Sequence, residues 1–550
     1  MQHITGTDRF QISFTSLDEQ IPMDNPVRVI DAFVDRLDLA RLGFAAGKPR
    51  EDGRPSYDPK AFLKLYIYGY FNGVRSSRRL ERECARNIEV RWLIGGLVPN
   101  YHSIADFRKD NPKALKACFK LYVLFLRDAG LIGGKVIAVD GSKFRASNSK
   151  KNNYSQKKID RHLQYIEEKT QDYLAQLDAA DKEESQEVDV SAIQQKLETL
   201  KGNKIRYEQL GQQLAQSGDT QVSTTDPDSR ALLVQGQVVE VSYNMQAAVD
   251  DRHNLVVANH VINRNDRNAL HDIGREAKEN TGAEELTVLA DKGYHNGREI
   301  QQCHRDGIQT IVAPNETVNS NAHGTTEDYL VTRFTYHPDT DTYTCPQGKT
   351  LATTGTWHKK TRERDSHLFK KYRTPDCRTC PARDLCTGRK DGGREIERSE
   401  YADAVEANLK LLEQNRELYK RRQMMNEHIF GTIKRKWGYN HTDLRGLEKV
   451  NGEIALVMTV YNLKRTINIL GFGDLMERIK NWKPDYKRVS LALKSALIDL
   501  FEEYRKHFPL ARPKLNPTQC LTGSQLPSHR NPLYGPETGF FKKSGLFFTA

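Results

Sequence analysis

Apolar and polar positions along the chain fall into three textures. Up to about residue 130 the spacing is helical. "DPKAFLKLYIYGYFNG" (58–73) is apolar and aromatic and stops at Asn-Gly. "SSRRLERECARNIEVRWLIGG" (76–96) follows, also helical and rich in Arg, with Arg78, Arg79, Arg82 and Arg86 after Arg75. "YHSIADFRKDNPKALKACFKLYVLFLRDAG" follows, with Ser103 as the expected N-cap and Asp106 in the capping-box position. Short Arg-laced helices joined by tight turns suit DNA binding of the helix-turn-helix kind, or equally a helical bundle with charged outer faces.

The texture changes at "GGKVIAVDGSKFRAS" (133–147), where Val136 to Val139 form a short apolar run ending at Asp140. This reads as a buried strand that delivers an acid at its end. From 155 to 216, Ile159, Leu163, Ile166, Thr170, Tyr173 and Leu177 step by four and three, and Ile193, Leu197, Leu200 and Tyr207 partly repeat the rhythm. Two antiparallel helices are expected, flanking the acidic stretch "DAADKEESQEVD". Val241, Tyr243, Met245 and Ala247 then alternate with polar residues, "DDRHN" makes a turn, and Leu255 to Ala258 return. A helix near 268–279 precedes "LTVLADKGYHNG" (286–297), a second apolar strand that ends at an acid, Asp291. Residues 313–399 are polar and read as loops. From 403 to about 470 the helical period resumes, and the tail from Ala511 is rich in Pro, Gly and Ser, a composition that favours disorder.

Charge adds a partner class. The 550 residues carry 84 Lys and Arg against 72 Asp and Glu, a net charge of +12. Such an excess favours polyanions through counterion release. No apolar run approaches the roughly 20 residues of a membrane-spanning helix. The N-terminus "MQHITGTDRFQISF" has no basic segment followed by an apolar one, so a cytoplasmic place is expected. Eight cysteines in this length are too few for a disulfide scaffold.

Three acids stand out together: Asp140 and Asp291 after strands, and Glu427 in "MNEHIFGTIKRKWG". Each alone has an ordinary explanation as a turn residue or a solvated charge. As a set they suit phosphoryl transfer, in which hard oxygen ligands hold magnesium or manganese beside a phosphate. Two such ions about 3.5–4 Å apart serve the attacking and leaving oxygens. On a regular helix, at about 100° per residue, Lys434 returns close to the face of Glu427, with Gly431 between them. Phe430, Ile433 and Trp437 form an apolar stripe for packing on a sheet. Lys143, Arg145, Lys292, Arg435 and Lys436 are candidate phosphate neutralisers.

The segments "VIAVDGSKFRAS", "VLADKGYHNG" and "YKRRQMMNEHIFGTIK" resemble the three acidic motifs of bacterial insertion-sequence transposases of the DDE kind, whose last motif carries a Tyr, Arg, Glu, Lys signature. "YDPKAFLKLYIYGYFNGVRSSRRLERECARN" and "SIADFRKD" resemble the helical domain that such enzymes carry. The resemblance spans roughly 15–155 and 225–470. It implies an α/β fold: an RNase H-like mixed sheet with flanking helices, preceded by an all-helical domain. On that reading 1–130 is a helical DNA-binding domain, and 131–154 with 225–312 begin the catalytic core. Residues 155–224 are a helical-hairpin insert, 313–399 a Cys-rich insert, and 400–472 the helix bearing the third acid. Residues 473–550 are a helical segment and a flexible tail.

The resemblance further implies that Asp140, Asp291 and Glu427 bind two divalent cations. Tyr419, Arg422 and Lys434 would contact DNA phosphates. The partners would be the terminal inverted repeats, the target DNA and a second copy of the chain, in a bacterial, nucleoid-associated setting. One departure is visible. Four residues separate Arg422 from Glu427 where the signature has three, which swings Tyr419 and Arg422 by about 100° on a regular helix. A nuclease that cuts without joining, and a DNA-binding protein that has lost the chemistry, are the rival functions.

Cys345, Cys377, Cys380 and Cys386 fall in one segment, the last three as C-x2-C-x5-C. Four thiolates at this spacing suit a closed, structural zinc site, with an iron–sulfur cluster as the other thiolate-rich option. No phosphate-binding Gly-x4-Gly-Lys-Ser/Thr loop and no Gly-x-Ser-x-Gly elbow occurs.

Overall fold

The computed structural model describes residues 10–12, 14–44, 56–182, 189–234, 238–314, 325–362, 365–389 and 392–489. The Pro- and Gly-rich tail lies outside these residues, as does half of the acidic stretch between the two hairpin helices.

Six helices come first: α1 (Pro26–Asp35), α2 (Pro59–Phe71), α3 (Ser77–Arg86), α4 (Ile88–Leu93), α5 (Tyr101–Asp110) and α6 (Pro112–Asp128). Local chemistry sets their ends. Asp58 caps α2 by accepting from the Lys60 amide, and Pro59 supplies the helical φ at the first position. The Arg-rich stretch over 76–96 forms two short helices. Asn87 is extended, and its side chain accepts from the Glu89 and Val90 amides, so it stops α3 and starts α4. The cap of α5 is Asn100, which accepts from the Ser103 amide at 2.8 Å; Ser103 itself lies inside the helix. These helices share one continuous apolar core with the sheet that follows.

That sheet is built from β1 (Val136–Arg145), β4 (Arg230–Val234), β5 (Val238–Asp250), β6 (Val256–Ile262), β7 (Leu286–Ala290) and β8 (Ile308–Val312). The order is β4-β5-β1-β7-β8, with β6 also paired to β5. β1 runs antiparallel to β5 but parallel to β7, and β7 runs parallel to β8. Asp140 therefore lies mid-strand, opposite Ala247, and not at a strand end. The apolar run stops there, yet the long β5 keeps offering backbone partners as far as Arg145. Helices α9 (Leu270–Thr281) and α10 (Gly297–Arg305) follow β6 and β7.

Between β1 and β4 the chain leaves the sheet through β2 (Asn153–Ser155), α7 (Gln156–Lys182), α8 (Val190–Ser217) and β3 (Gln221–Ser223). The β2–β3 ladder and a small cluster of Tyr154, Ile159, Leu210, Leu214 and Val222 close the base of this hairpin. His162 stacks flat on Tyr207 at 4.6 Å.

Residues 313–399, expected as loops, hold a second six-stranded sheet. Its strands are β9 (Thr335–His337), β10 (Thr342–Thr344), β11 (Thr350–Thr353), β12 (His358–Arg362), β13 (Asp365–Arg373) and β14 (Ile396–Ser399). The order is β12-β13-β11-β10-β9, with β14 on β13. Five of the six strands have only three to five residues, and Thr and Lys conceal their alternation. Buried Phe334, Tyr343, Leu351, Tyr372 and Ile396 form its core. Asp341 accepts from Lys370 and from the Tyr372 and Tyr336 hydroxyls. Those bonds, Lys370 foremost, lower its pKa from 3.8 to about 2. A depressed carboxylate stabilises the fold above its unfolded pKa and loses that contribution as pH falls through the folded one. Asp341→Asn is therefore expected to lower the melting temperature at neutral pH, and the gap should close as pH falls from about 4 to about 2. Thermal melts at matched pH read this directly.

The chain closes with a short α11 (Arg383–Cys386), preceding β14, and then α12 (Ala402–Gln414), α13 (Arg416–Gly431) and α14 (Leu447–Asn481). α14 carries Glu453, fully buried. Its carboxylate accepts from the Tyr439 hydroxyl at 2.7 Å and from the Asp443 and Leu444 amides. Arg108 of α5 lies 3.7 Å from it and also donates to the Tyr70 hydroxyl of α2. A polar hub thus ties the N-terminal helices to the last long helix.

Candidate active site

The parallel pairing of β1 with β7 brings two of the three singled-out acids together. Ala138 pairs with Leu289. Carrying that register on by two residues sets Asp140 level with Asp291, which immediately follows β7. Asp291 caps the 3-10 turn Lys292–Tyr294 and accepts from the Gly293 amide at 2.9 Å. Asp140 accepts from the Gly141 amide at 2.8 Å. Burial pushes the Asp140 pKa up to about 6; Gly141 and Arg422 oppose the rise, while Asp291 and Asp266 add to it. A half-buried carboxylate with like charge nearby is a candidate hard oxygen donor for a cation.

Arg422 and Lys434 reach this neighbourhood from the helical segment. Arg422 acts on Asp140 and lies against the Tyr419 ring at 5.5 Å. Lys434 donates to the Lys143 carbonyl at 2.7 Å and sits 4.5 Å from the centre of the Phe144 ring. Burial first, then Lys143, pull its pKa down to about 8, against the attraction of Asp140. The expected shared face of Glu427 and Lys434 does not form. Residues Thr432–Lys436 make a π-turn, whose wider winding breaks the period that the seven-residue spacing assumes. Lys434 is partly buried, whereas Glu427 is exposed.

Glu427 accepts from Gln423 at 2.7 Å and faces an open depression shared with Lys420, Met424 and His428. The residues that α13 buries instead are Met425, Asn426, Ile429 and Phe430. Asn426 is 1 % exposed and neither polar atom of its side chain has a partner. With three residues between, as in the signature, the position that follows Arg422 is this asparagine, so the altered spacing places an amide where the acid was expected. Among the described residues no group of three or more His, Cys, Asp or Glu is set as a metal-ligand cage.

The other basic residues take different places. Lys143 pairs with Asp266 at 2.8 Å and so is already engaged. Arg145, with Asn148, Asn152, Thr225, His441 and Arg445, lines an open polar cavity of about 500 Å3 at the far end of β1. Lys292, Arg435 and Lys436 are exposed. Tyr294, a candidate substrate contact by its position after Asp291, is fully buried and donates to Gln246. Asp266 carried no signal in the sequence, since it sits in a polar turn; a closing interaction between distant segments is what marks it.

The four clustered cysteines line one small cavity, together with Phe334, Leu351 and Arg394. Burial raises the Cys386 pKa, Arg394 opposes it, and the other three thiols act on it. The Lys349 amide points at the Cys345 sulfur at 3.3 Å. A side chain at Gly393 would collide with Cys377, its Cβ falling 2.2 Å from that of the cysteine.

Adjoining aspartates on a mixed sheet, with cationic side chains beside them, define a class of site suited to phosphate esters. Comparison with known families narrows this. Residues 15–110 match a family described as "Transposase domain (DUF772)", and residues 344–467 match one described as "Transposase DDE domain". Together the two matches support an insertion-sequence DDE transposase. The second spans Glu427 but neither Asp140 nor Asp291. No curated protein and no solved structure matches the chain. No helix among the described residues is long and apolar enough to cross a membrane.

Proposed function

We propose that the chain cleaves DNA at the ends of its element and joins the freed end to target DNA. The observation that carries this reading is the level placement of Asp140 and Asp291 on neighbouring parallel strands, with Arg422 and Lys434 beside them. The strand order, an antiparallel β6-β5-β1 half continued by parallel β7 and β8, supports an RNase H-like core. Asp140 and Asp291 fit a hard divalent ion: both are oxygen donors, and the like charge between them calls for a cation. Magnesium or manganese held there would supply the charge that activates an attacking oxygen and steadies the leaving one. Glu427 is the proposed third carboxylate, on the helix that also carries Arg422.

The residues themselves orient the substrate. Arg422 and Lys434 offset phosphate charge on the α13 side, Tyr419 backs Arg422, and Arg145 and Lys292 extend the basic surface. In the first step water oxygen bonds to phosphorus and the 3′-oxygen leaves. In the second, that 3′-hydroxyl bonds to a target phosphorus and a target 3′-oxygen leaves. The two steps give cleavage and joining. A duplex carrying the DNA that flanks the coding region tests this. Cleavage in magnesium and joining of a precleaved end are expected. Absence of both would overturn the reading, and cleavage without joining would make the chain a nuclease.

We also propose that Cys345, Cys377, Cys380 and Cys386 hold a structural zinc. Cys345, after β10, lines one cavity with Cys377, Cys380 and Cys386 of the segment that ends in α11, which supports this, as does the amide–sulfur contact at Cys345. Among the described residues no three of the thiols are set as a ligand cage. A closed four-thiolate site leaves no open position for catalysis. Purified full-length protein is expected to carry about one zinc per chain, as structural four-thiolate sites do, and Cys380→Ser to lose it. Metal analysis that finds no zinc, or iron in its place, would refute the assignment.

A further inference from the structure

Asp266 lies at the start of a short turn after β6, far in sequence from both aspartates. Its carboxylate accepts from Lys143 of β1 at 2.8 Å, from Asn244 of β5 at 2.7 Å and from Gln246 of β5 at 2.8 Å. These bonds hold it ionised despite its burial. Gln246 in turn accepts from the Tyr294 hydroxyl, in the turn that Asp291 caps. Asn268, at the end of the Asp266 turn, accepts from Asn296 at 2.6 Å. The chain makes room for this arrangement. A Cβ at Gly141, the residue after Asp140, would lie 2.2 Å from the Asp266 carboxylate and 2.3 Å from the Gln246 amide.

From this network we infer that Asp266 is a positioning residue of the catalytic centre. It fixes the Lys143 ammonium on the face of β1 that Gly141 shares, opposite the Asp140 side chain, and through Gln246 locks the turn that follows Asp291 against the sheet. With three of its roughly four acceptor sites taken by Lys143, Asn244 and Gln246, it orients the groups around the acid pair and is not itself a ligand. Gly141 is the steric condition for that role. The inference rests on the proposed catalytic reading, and its test separates the two.

Ion-pair formation is read without DNA. Competitive acylation of the full-length protein, followed by mass spectrometry, reports the reactivity of Lys143, which should rise severalfold in Asp266→Asn. Unchanged reactivity would overturn the assignment whether or not the chain cuts DNA. Cleavage is then measured on the element-end duplex. Asp266→Asn and Lys143→Met are each expected to lose roughly 10–100-fold in rate, the scale of partners that orient a metal site. The double variant should be no worse than the poorer single one, because both remove the same interaction. Gly141→Ala, which deletes no polar group but crowds the Asp266 carboxylate and the Gln246 amide, should reproduce the defect and also lower the melting temperature. Multiplying losses in the double variant, or wild-type rates in Asp266→Asn, would overturn the inference. Loss of manganese binding as complete as in Asp291→Asn would also overturn it, by making Asp266 a ligand. A wild-type chain that does not cleave, yet shows the Lys143 effect, would retire the catalytic reading and keep the ion pair.

Discussion

Asp140→Ala and Asp291→Ala should each reduce strand cleavage by about a thousandfold or more, while binding of the element-end duplex persists. Removing a single group that stabilises developing charge has effects on this scale. The argument is geometric. Asp140 pairs opposite Ala247 within β1, and β1 runs in parallel register with β7. Either substitution leaves those backbone ladders intact, so the loss should appear in chemistry and not in folding. Binding should persist because the basic surface of Arg145, Lys434 and Arg435 is untouched. Single-turnover cleavage and gel-shift assays on the same preparations separate the two quantities. Glu427→Ala should fall with them if the exposed carboxylate on α13 joins the pair when DNA is bound. Normal cleavage by that variant would remove Glu427 from the site and leave the two aspartates to act with other groups.

Glu453→Ala should be the most damaging substitution for stability. Its carboxylate is buried and takes bonds from Tyr439, Asp443 and Leu444. Arg108, also buried, would lose one of its two carboxylate partners and keep Asp443 at 3.4 Å. Breaking a buried ion pair from one side costs about 3–5 kcal/mol. Chemical denaturation followed by far-ultraviolet dichroism should show the midpoint falling by a corresponding amount, with N-terminal helices and α14 affected together. Glu453→Gln, which keeps an acceptor for the Tyr439 hydroxyl, should lose less. A midpoint like that of the wild type would show that the hub does not hold these elements.

Much of the fold was legible because hydrophobic period and turn chemistry agree over long stretches. The hairpin helices α7 and α8, the β5–β6 pair and the two apolar strands that lead to Asp140 and Asp291 all follow from residue patterns. The misreadings have physical causes. Asn100, and not Ser103, caps α5, because its extended backbone lets its side chain reach the Ser103 amide. The second sheet hides in Thr- and Lys-rich strands, most of them only a few residues long. Asp140 lies mid-strand because a distant partner, β5, extends the ladder beyond the apolar run. The π-turn at Thr432–Lys436 depends on packing that no residue period encodes, and it separates Lys434 from Glu427. Asp266 and Glu453 are visible only as meeting points of segments remote along the chain.

The most direct test of the paired-aspartate centre is a manganese titration of the full-length protein, followed by electron paramagnetic resonance, for the wild type and for Asp140→Asn and Asp291→Asn. A tight manganese site in the wild type, weakened by roughly 10-fold or more in each variant, is the expected result, since each variant loses a charged oxygen ligand. Equal manganese affinity in all three proteins would contradict the account.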